Sequence, residues 1–114
     1  MERILLTEGY RGCNSRGDDL NLGAVQRDYE VVLDVKSVTP GGTLAVEVVT
    51  SSGVIKFRPT TGPTFESIRV PNLTWFVTAW WRTFHVSPGA HERSDHVLSF
   101  FGVFLRTPKG LSNA

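Results

Sequence analysis

Three histidines crowd one short stretch of the chain: His85, His91 and His96 bracket a loop that also carries Glu92, Arg93 and Asp95. Imidazoles beside carboxylates are the ligands of zinc and related transition metals. The spacing argues against a site. A helix presents two ligands on one face at i and i+4, and a strand at i and i+2; neither interval separates these histidines. A polar turn gathers such residues without a metal, so no metal site is expected. Nucleophilic catalysis needs a nucleophile held by a partner in a dry pocket. The lone Cys13 falls instead in an irregular stretch, and the carboxylates fall on outward strand positions or in loops. No catalytic residues, no enzymatic activity and no cofactor are expected. Arg16-Gly17-Asp18 spells a tripeptide that integrins recognise on displayed loops, although Gly beside Asp is ordinary turn chemistry.

The aromatic residues carry a stronger signal. All three tryptophans, Trp75, Trp80 and Trp81, lie between Leu73 and Arg106, as do Phe76, Phe84, Phe100, Phe101 and Phe104. Two apolar runs, rich in aromatic and β-branched residues and joined by a turn-forming loop, read as strands. Successive strand side chains alternate between faces. One face of the first run is Leu73, Trp75, Val77, Ala79 and Trp81; the other is Thr74, Phe76, Thr78, Trp80, Arg82 and Phe84. In the second run Val97, Ser99, Phe101, Val103 and Leu105 oppose Leu98, Phe100, Gly102 and Phe104. A sheet with one wet face alternates apolar with polar residues, whereas here both faces are largely apolar. The chain's own N-terminal segment, another subunit or a partner must cover the second face, because a bare surface of that kind exceeds what soluble monomers expose. Buried Trp and Arg are typical interface anchors. A subunit interface is therefore expected at Phe76, Trp80, Arg82, Phe84, Phe100 and Phe104. A sugar-stacking platform is the alternative, but along this strand only threonine and arginine accompany Trp80 and Phe84.

The elements that position these residues follow from the rest of the chain. Residues 1–28 show no regular period and are rich in turn formers, with scattered apolar residues. They are expected to form an extended arm that docks through Leu5, Tyr10, Leu20 and Leu22. From Tyr29 a regular pattern sets in: Val31, Leu33 and Val35 face inward, and Leu44, Val46 and Val48 share a face after the Thr39-Pro40-Gly41-Gly42 turn. Strands follow at Val54–Arg58 and Phe65–Val70, with Pro71-Asn72 opening the aromatic run. Turn signals recur roughly every 8–12 residues, and no long 3.6-residue period appears. The expected fold is an all-β antiparallel sandwich, jelly-roll or Ig-like, of about six or seven strands. The expected division is an arm at 1–28, a sandwich domain at 29–107 and a polar tail at 108–114.

At 114 residues the chain holds one core. A net charge of +1 offers no electrostatic case for nucleic acid or membrane lipid. One cysteine excludes an internal disulfide and a cysteine-based zinc site. The N-terminus lacks a signal-peptide core and no run reaches a membrane span, so synthesis and residence inside a cell, or in a particle built there, is expected.

Together, Tyr29–Val38 and Gly42–Val48 with the Ser51-Ser52-Gly53 turn resemble the opening strand pair of small β-sandwich virion proteins of tailed bacteriophages. The resemblance continues through Phe76-Val77-Thr78-Ala79-Trp80-Trp81, where that family's aromatic-Val-basic-x-x-Trp pattern has Thr78 at the basic position. It ends in the Ser/Phe/Val-rich Leu98-Ser99-Phe100-Phe101-Gly102-Val103 and covers about residues 29–106. The resemblance implies a non-enzymatic building block: a capsid decoration (cement) protein, a head–tail connector or a tail component. It also implies residence on the virion after synthesis in the host cytoplasm, contact with the major capsid protein or other virion subunits, and a dimeric or trimeric state. The competing class is a carbohydrate- or receptor-binding module of a phage tail.

Overall fold

A computed structural model describes residues 3–12, 15–86, 92–93 and 96–108. Its regular elements are all strands: β1 (Arg3–Gly12), β2 (Ser15–Arg16), β3 (Leu20–Val38), β4 (Gly42–Thr50), β5 (Gly53–Lys56), β6 (Thr64–Val86), β7 (Glu92–Arg93) and β8 (Leu98–Arg106). They form one antiparallel sheet in the order β1-β8-β3-β6-β4-β5, with β2 and β7 also paired to β6. The protein is all-β, as its period-2 patterning predicts. β4 shows that patterning most directly, because every second side chain from Gly42 to Thr50 is buried.

β6 organises the sheet. Its first part, from Thr64 to Val77, pairs with β3, and its second part, from Val77 to His85, pairs with β4. A single core draws on both parts: Val31, Leu33, Val35, Val103 and Leu105 from one side, and Leu44, Val46, Val48, Val77 and Ala79 from the other. Trp81 of β6 meets Phe101 of β8 edge-on at 5.8 Å across this core, although the two strands are not neighbours in the sheet. The sheet therefore bends over itself, an arrangement consistent with the expected sandwich.

The bend has local causes. Between the pairs Tyr29↔Val70 and Arg27↔Leu73 the ladder is interrupted, and Pro71, which has no N–H to donate, sits in that gap. Asn72 and Trp75 both adopt positive φ, at 59° and 63°. The Asp28 carboxylate accepts the Asn72 N–H at 3.0 Å, and the Asn21 side-chain oxygen accepts the Gly23 N–H at 2.8 Å. Short polar side chains thus replace ladder bonds where the strands are out of step.

The first 28 residues do not form an arm apart from the sheet. β1 pairs with β8 from Arg3↔Arg106 to Gly12↔Leu98, and β3 runs unbroken past residue 28 from Leu20. Leu6 is in the core, and Leu20 and Leu22 pack against it. The segment looks aperiodic because each bulge shifts the phase of a period-2 pattern: one register shift falls at Leu5/Thr7 and three fall between Asn21 and Tyr29. Of the expected tail, Pro108 is buried and residues 109–114 lie outside the described residues.

Those N-terminal residues also answer part of the question of the second apolar face. The Arg3 guanidinium lies 3.8 Å over the Phe104 ring, which is buried, and Tyr10 stacks on Phe100 at 4.6 Å. On β6 the Arg82 guanidinium covers Phe84 at 4.4 Å, and Phe84 too is buried. Overall the molecule is elongated, with extents of 51 × 24 × 21 Å and a radius of gyration of 14.9 Å. A compact chain of this length has a radius of about 13 Å.

Candidate functional site

Among the described residues, four exposed large apolar side chains lie on β6, namely Phe65, Trp75, Phe76 and Trp80, and two places on the strand stand out. The first is a cross-strand row. Trp80 is directly opposite Arg16 of β2 on one side and Glu47 of β4 on the other, and Glu47 is opposite Lys56 of β5. Residues directly opposite each other in a ladder share a face, so Arg16, Trp80, Glu47 and Lys56 form one line across four strands. At about 4.8 Å per strand the line spans about 14 Å. In the next row Ala45 faces Arg82. The small side chain at 45 leaves a depression beside Trp80. The result is an open groove of about 860 Å³, whose apolar lining includes Ala45, Val46, Phe57, Pro59 and Trp81. Trp80 remains 42 % exposed within it.

Charge in the groove is unevenly distributed. Arg16, Lys56 and Arg82 line it against a single carboxylate, Glu47. The Arg16 guanidinium lies 5.7 Å from the Trp80 ring centre and 3.7 Å from Asp19. Asp19 in turn accepts a hydrogen bond from the Thr78 hydroxyl. A smaller groove lined by Lys56, Arg58, Glu66, Ser67 and Ile68 adjoins the first, the two meeting at Lys56.

The second place lies toward the bend. Trp75 and Phe76 are 54 % and 44 % exposed. Strand alternation puts Trp75 on the core face with Leu73 and Val77, but its positive φ turns it outward. A non-glycine residue in that region costs on the order of 1–3 kcal/mol and persists only where its surroundings hold it. Opposite these residues run Gly23 and Asn21 of β3, followed by the exposed Val25. Phe76 and Trp80 lie four positions apart, about 13 Å along a strand, so the groove and the Trp75–Phe76 pair are separate features.

No known protein family matches this chain, and no curated protein sequence does.

The ten residues expected at an interface divide into three sets. Phe76, Trp80 and Arg82 are exposed on β6, and Leu5 and Tyr10 are exposed on β1. Phe84 and Phe104 are buried by their own chain and offer no outer surface, while Leu20 and Leu22 are half-buried against its core. Phe100 is partly covered by Tyr10. Trp75, Arg16, Glu47 and Lys56 were not legible along the sequence. The first is displaced by a backbone exception, and the others reach Trp80 only through pairing with distant strands. The carboxylate missing from the aromatic run around Trp80 stands opposite it on β4, as Glu47.

The remaining chemical candidates fall differently. His85 Nδ1 lies 3.1 Å from the Gly41 carbonyl oxygen, while Cys13 and His91 lie outside the described residues. Among the described residues no three His, Cys, Asp or Glu side chains gather as metal ligands. The Arg16-Gly17-Asp18 tripeptide is pinned along β6 by the Gly17 N–H donating to the Ala79 carbonyl at 2.8 Å.

Proposed function

We propose that this chain is a non-enzymatic structural protein of a bacteriophage virion, a capsid decoration (cement) protein that binds the shell and its own copies through exposed aromatic side chains. The observation that carries the reading is the outward-held pair Trp75 and Phe76, with Val25 near them on the opposing strand. Three exposed large apolar residues close together near the bend are costly in water, and burial against a neighbour recovers that cost. The strained backbone at Trp75 supports the same reading, because relaxing it would return the ring to the core side. The resemblance of residues 29–106 to small virion sandwiches supplies the particular setting, with the major capsid protein or another virion subunit as partner. Unlike the expectation from sequence, docking through a free arm plays no part, since β1 is occupied by β8.

The test is the state of the purified chain and its affinity for shells. Light scattering should give the mass of a dimer or trimer, and the chain should co-sediment with undecorated phage capsids. Trp75→Ser with Phe76→Ser should abolish both while leaving the circular dichroism spectrum unchanged. A monomeric wild-type chain that ignores capsids overturns the proposal.

A further inference from the structure

We infer that the groove at Trp80 is a binding site for an acidic oligosaccharide, with one sugar ring against the indole and its carboxylate or sulfate groups on the surrounding cations. This goes beyond the assembly role, which rests on Trp75 and Phe76 near the bend in β6.

Three observations carry it. The first is shape: an open groove lined by Trp80, Ala45 and the exposed Pro59 gives an apolar ring face a place to lie. Trp80 is held from both sides by β2 and β4, so its backbone is fixed before any ligand arrives. The second is polarity. The row Arg16–Trp80–Glu47–Lys56 alternates donor, ring, acceptor and donor across about three strand spacings, or about 14 Å. A sugar presents an apolar face with hydroxyls at its rim, and a carboxylate beside an indole is the acceptor those hydroxyls need. The third is net charge. Arg16, Lys56 and Arg82 face one carboxylate in the main groove, and the adjoining groove adds Arg58 and Glu66. Four cations against two carboxylates in the lining, with Asp19 beside Arg16 as a third, leave a positive excess over two grooves that share Lys56, which suits a chain of anionic sugars longer than one ring.

The two carboxylates also separate this ligand from single-stranded nucleic acid, which likewise stacks on aromatic rings beside cations. A phosphodiester chain offers few hydroxyl donors to Glu47, whereas an acidic sugar presents ring hydroxyls beside its charged group. Neutral sugars would use Trp80 and Glu47 but leave the cations unengaged.

Tryptophan fluorescence of the full chain, titrated with a panel of oligogalacturonate, alginate oligomer, sialyllactose and heparin hexasaccharide, tests the inference. Maltohexaose and oligo-dT serve as controls. At least one acidic saccharide should bind saturably and better than both controls. Trp80→Ala should weaken it about tenfold or more, and Lys56→Glu and Glu47→Gln should each weaken it, whereas the remote charge change Lys36→Glu should not. Trp80 and Lys56 are exposed, so these variants keep the fold, and a thermal melt verifies it. Failure of the whole panel at about 5 mM overturns the inference, as do tighter binding of oligo-dT, Glu47→Gln strengthening binding, or equal losses from Lys36→Glu. None of these results bears on oligomer mass or capsid binding, so the assembly proposal stands or falls separately.

Discussion

Trp81 fills the centre of the core and pays for it with a proton donor. Its ring is nearly buried and packs edge-on against Phe101, yet among the described residues its indole nitrogen has no acceptor. A buried, unsatisfied donor costs about 1–3 kcal/mol. Trp81→Phe keeps an aromatic ring in place and removes the orphaned N–H. Its expected cost in urea denaturation is therefore below about 1 kcal/mol, against about 3–5 kcal/mol for Trp81→Ala. Gly17 is constrained for a different reason: a Cβ there would lie 2.9 Å from the Leu6 carbonyl oxygen. Gly17→Ala must push β2 off β1 or β6, and a loss of about 1–3 kcal/mol is expected from thermal melts.

Elements hold together here through pairing over long sequence distances. β1 and β8 lie at opposite ends of the chain, yet β1 pairs along the whole of β8, and Arg3 and Tyr10 shield Phe104 and Phe100. Deleting residues 1–12 would expose a full strand edge beside two uncovered rings, a template for aggregation. The truncated chain should lose its cooperative melting transition or precipitate; a truncated chain that melts cooperatively at the native temperature would show β1 to be dispensable. The β3–β8 ladder ends at the Arg106–Glu30 pair, with Nε 3.0 Å from the carboxylate and both side chains mostly buried. Glu30→Gln removes the charge that faces Arg106. The expected cost is about 1.5–3 kcal/mol, the range for hydrogen bonds to charged groups.

At the scale of the whole molecule, one long strand serves two surfaces. β6 carries Trp75 and Phe76 near the bend and Trp80 in the groove, with the core between the two parts of the sheet behind them. The surfaces should be separable by mutation. Trp75→Ser with Phe76→Ser should change the mass seen by light scattering without changing saccharide affinity, and Trp80→Ala should do the reverse. A variant at either place that lost both properties would show that the two surfaces are one.

Strand content and most of the core can be read from the residues alone. Val31, Leu33, Val35, Leu44, Val46 and Val48 are buried where alternation puts them, because period-2 patterning is a local property of the backbone. The excess of apolar side chains on β6 was also legible, as was the outward placement of Trp80. The tertiary structure alone decided which outer rings stay exposed, since cover for Phe84, Phe100 and Phe104 comes from a guanidinium or a tyrosine placed by folding. It alone decided that the first residues are a sheet strand, because bulges erase the alternation that would have announced one. And it alone set Arg16, Glu47 and Lys56 in line with Trp80. Register between strands tens of residues apart is fixed by the packing of the whole sheet, and no stretch of sequence contains it.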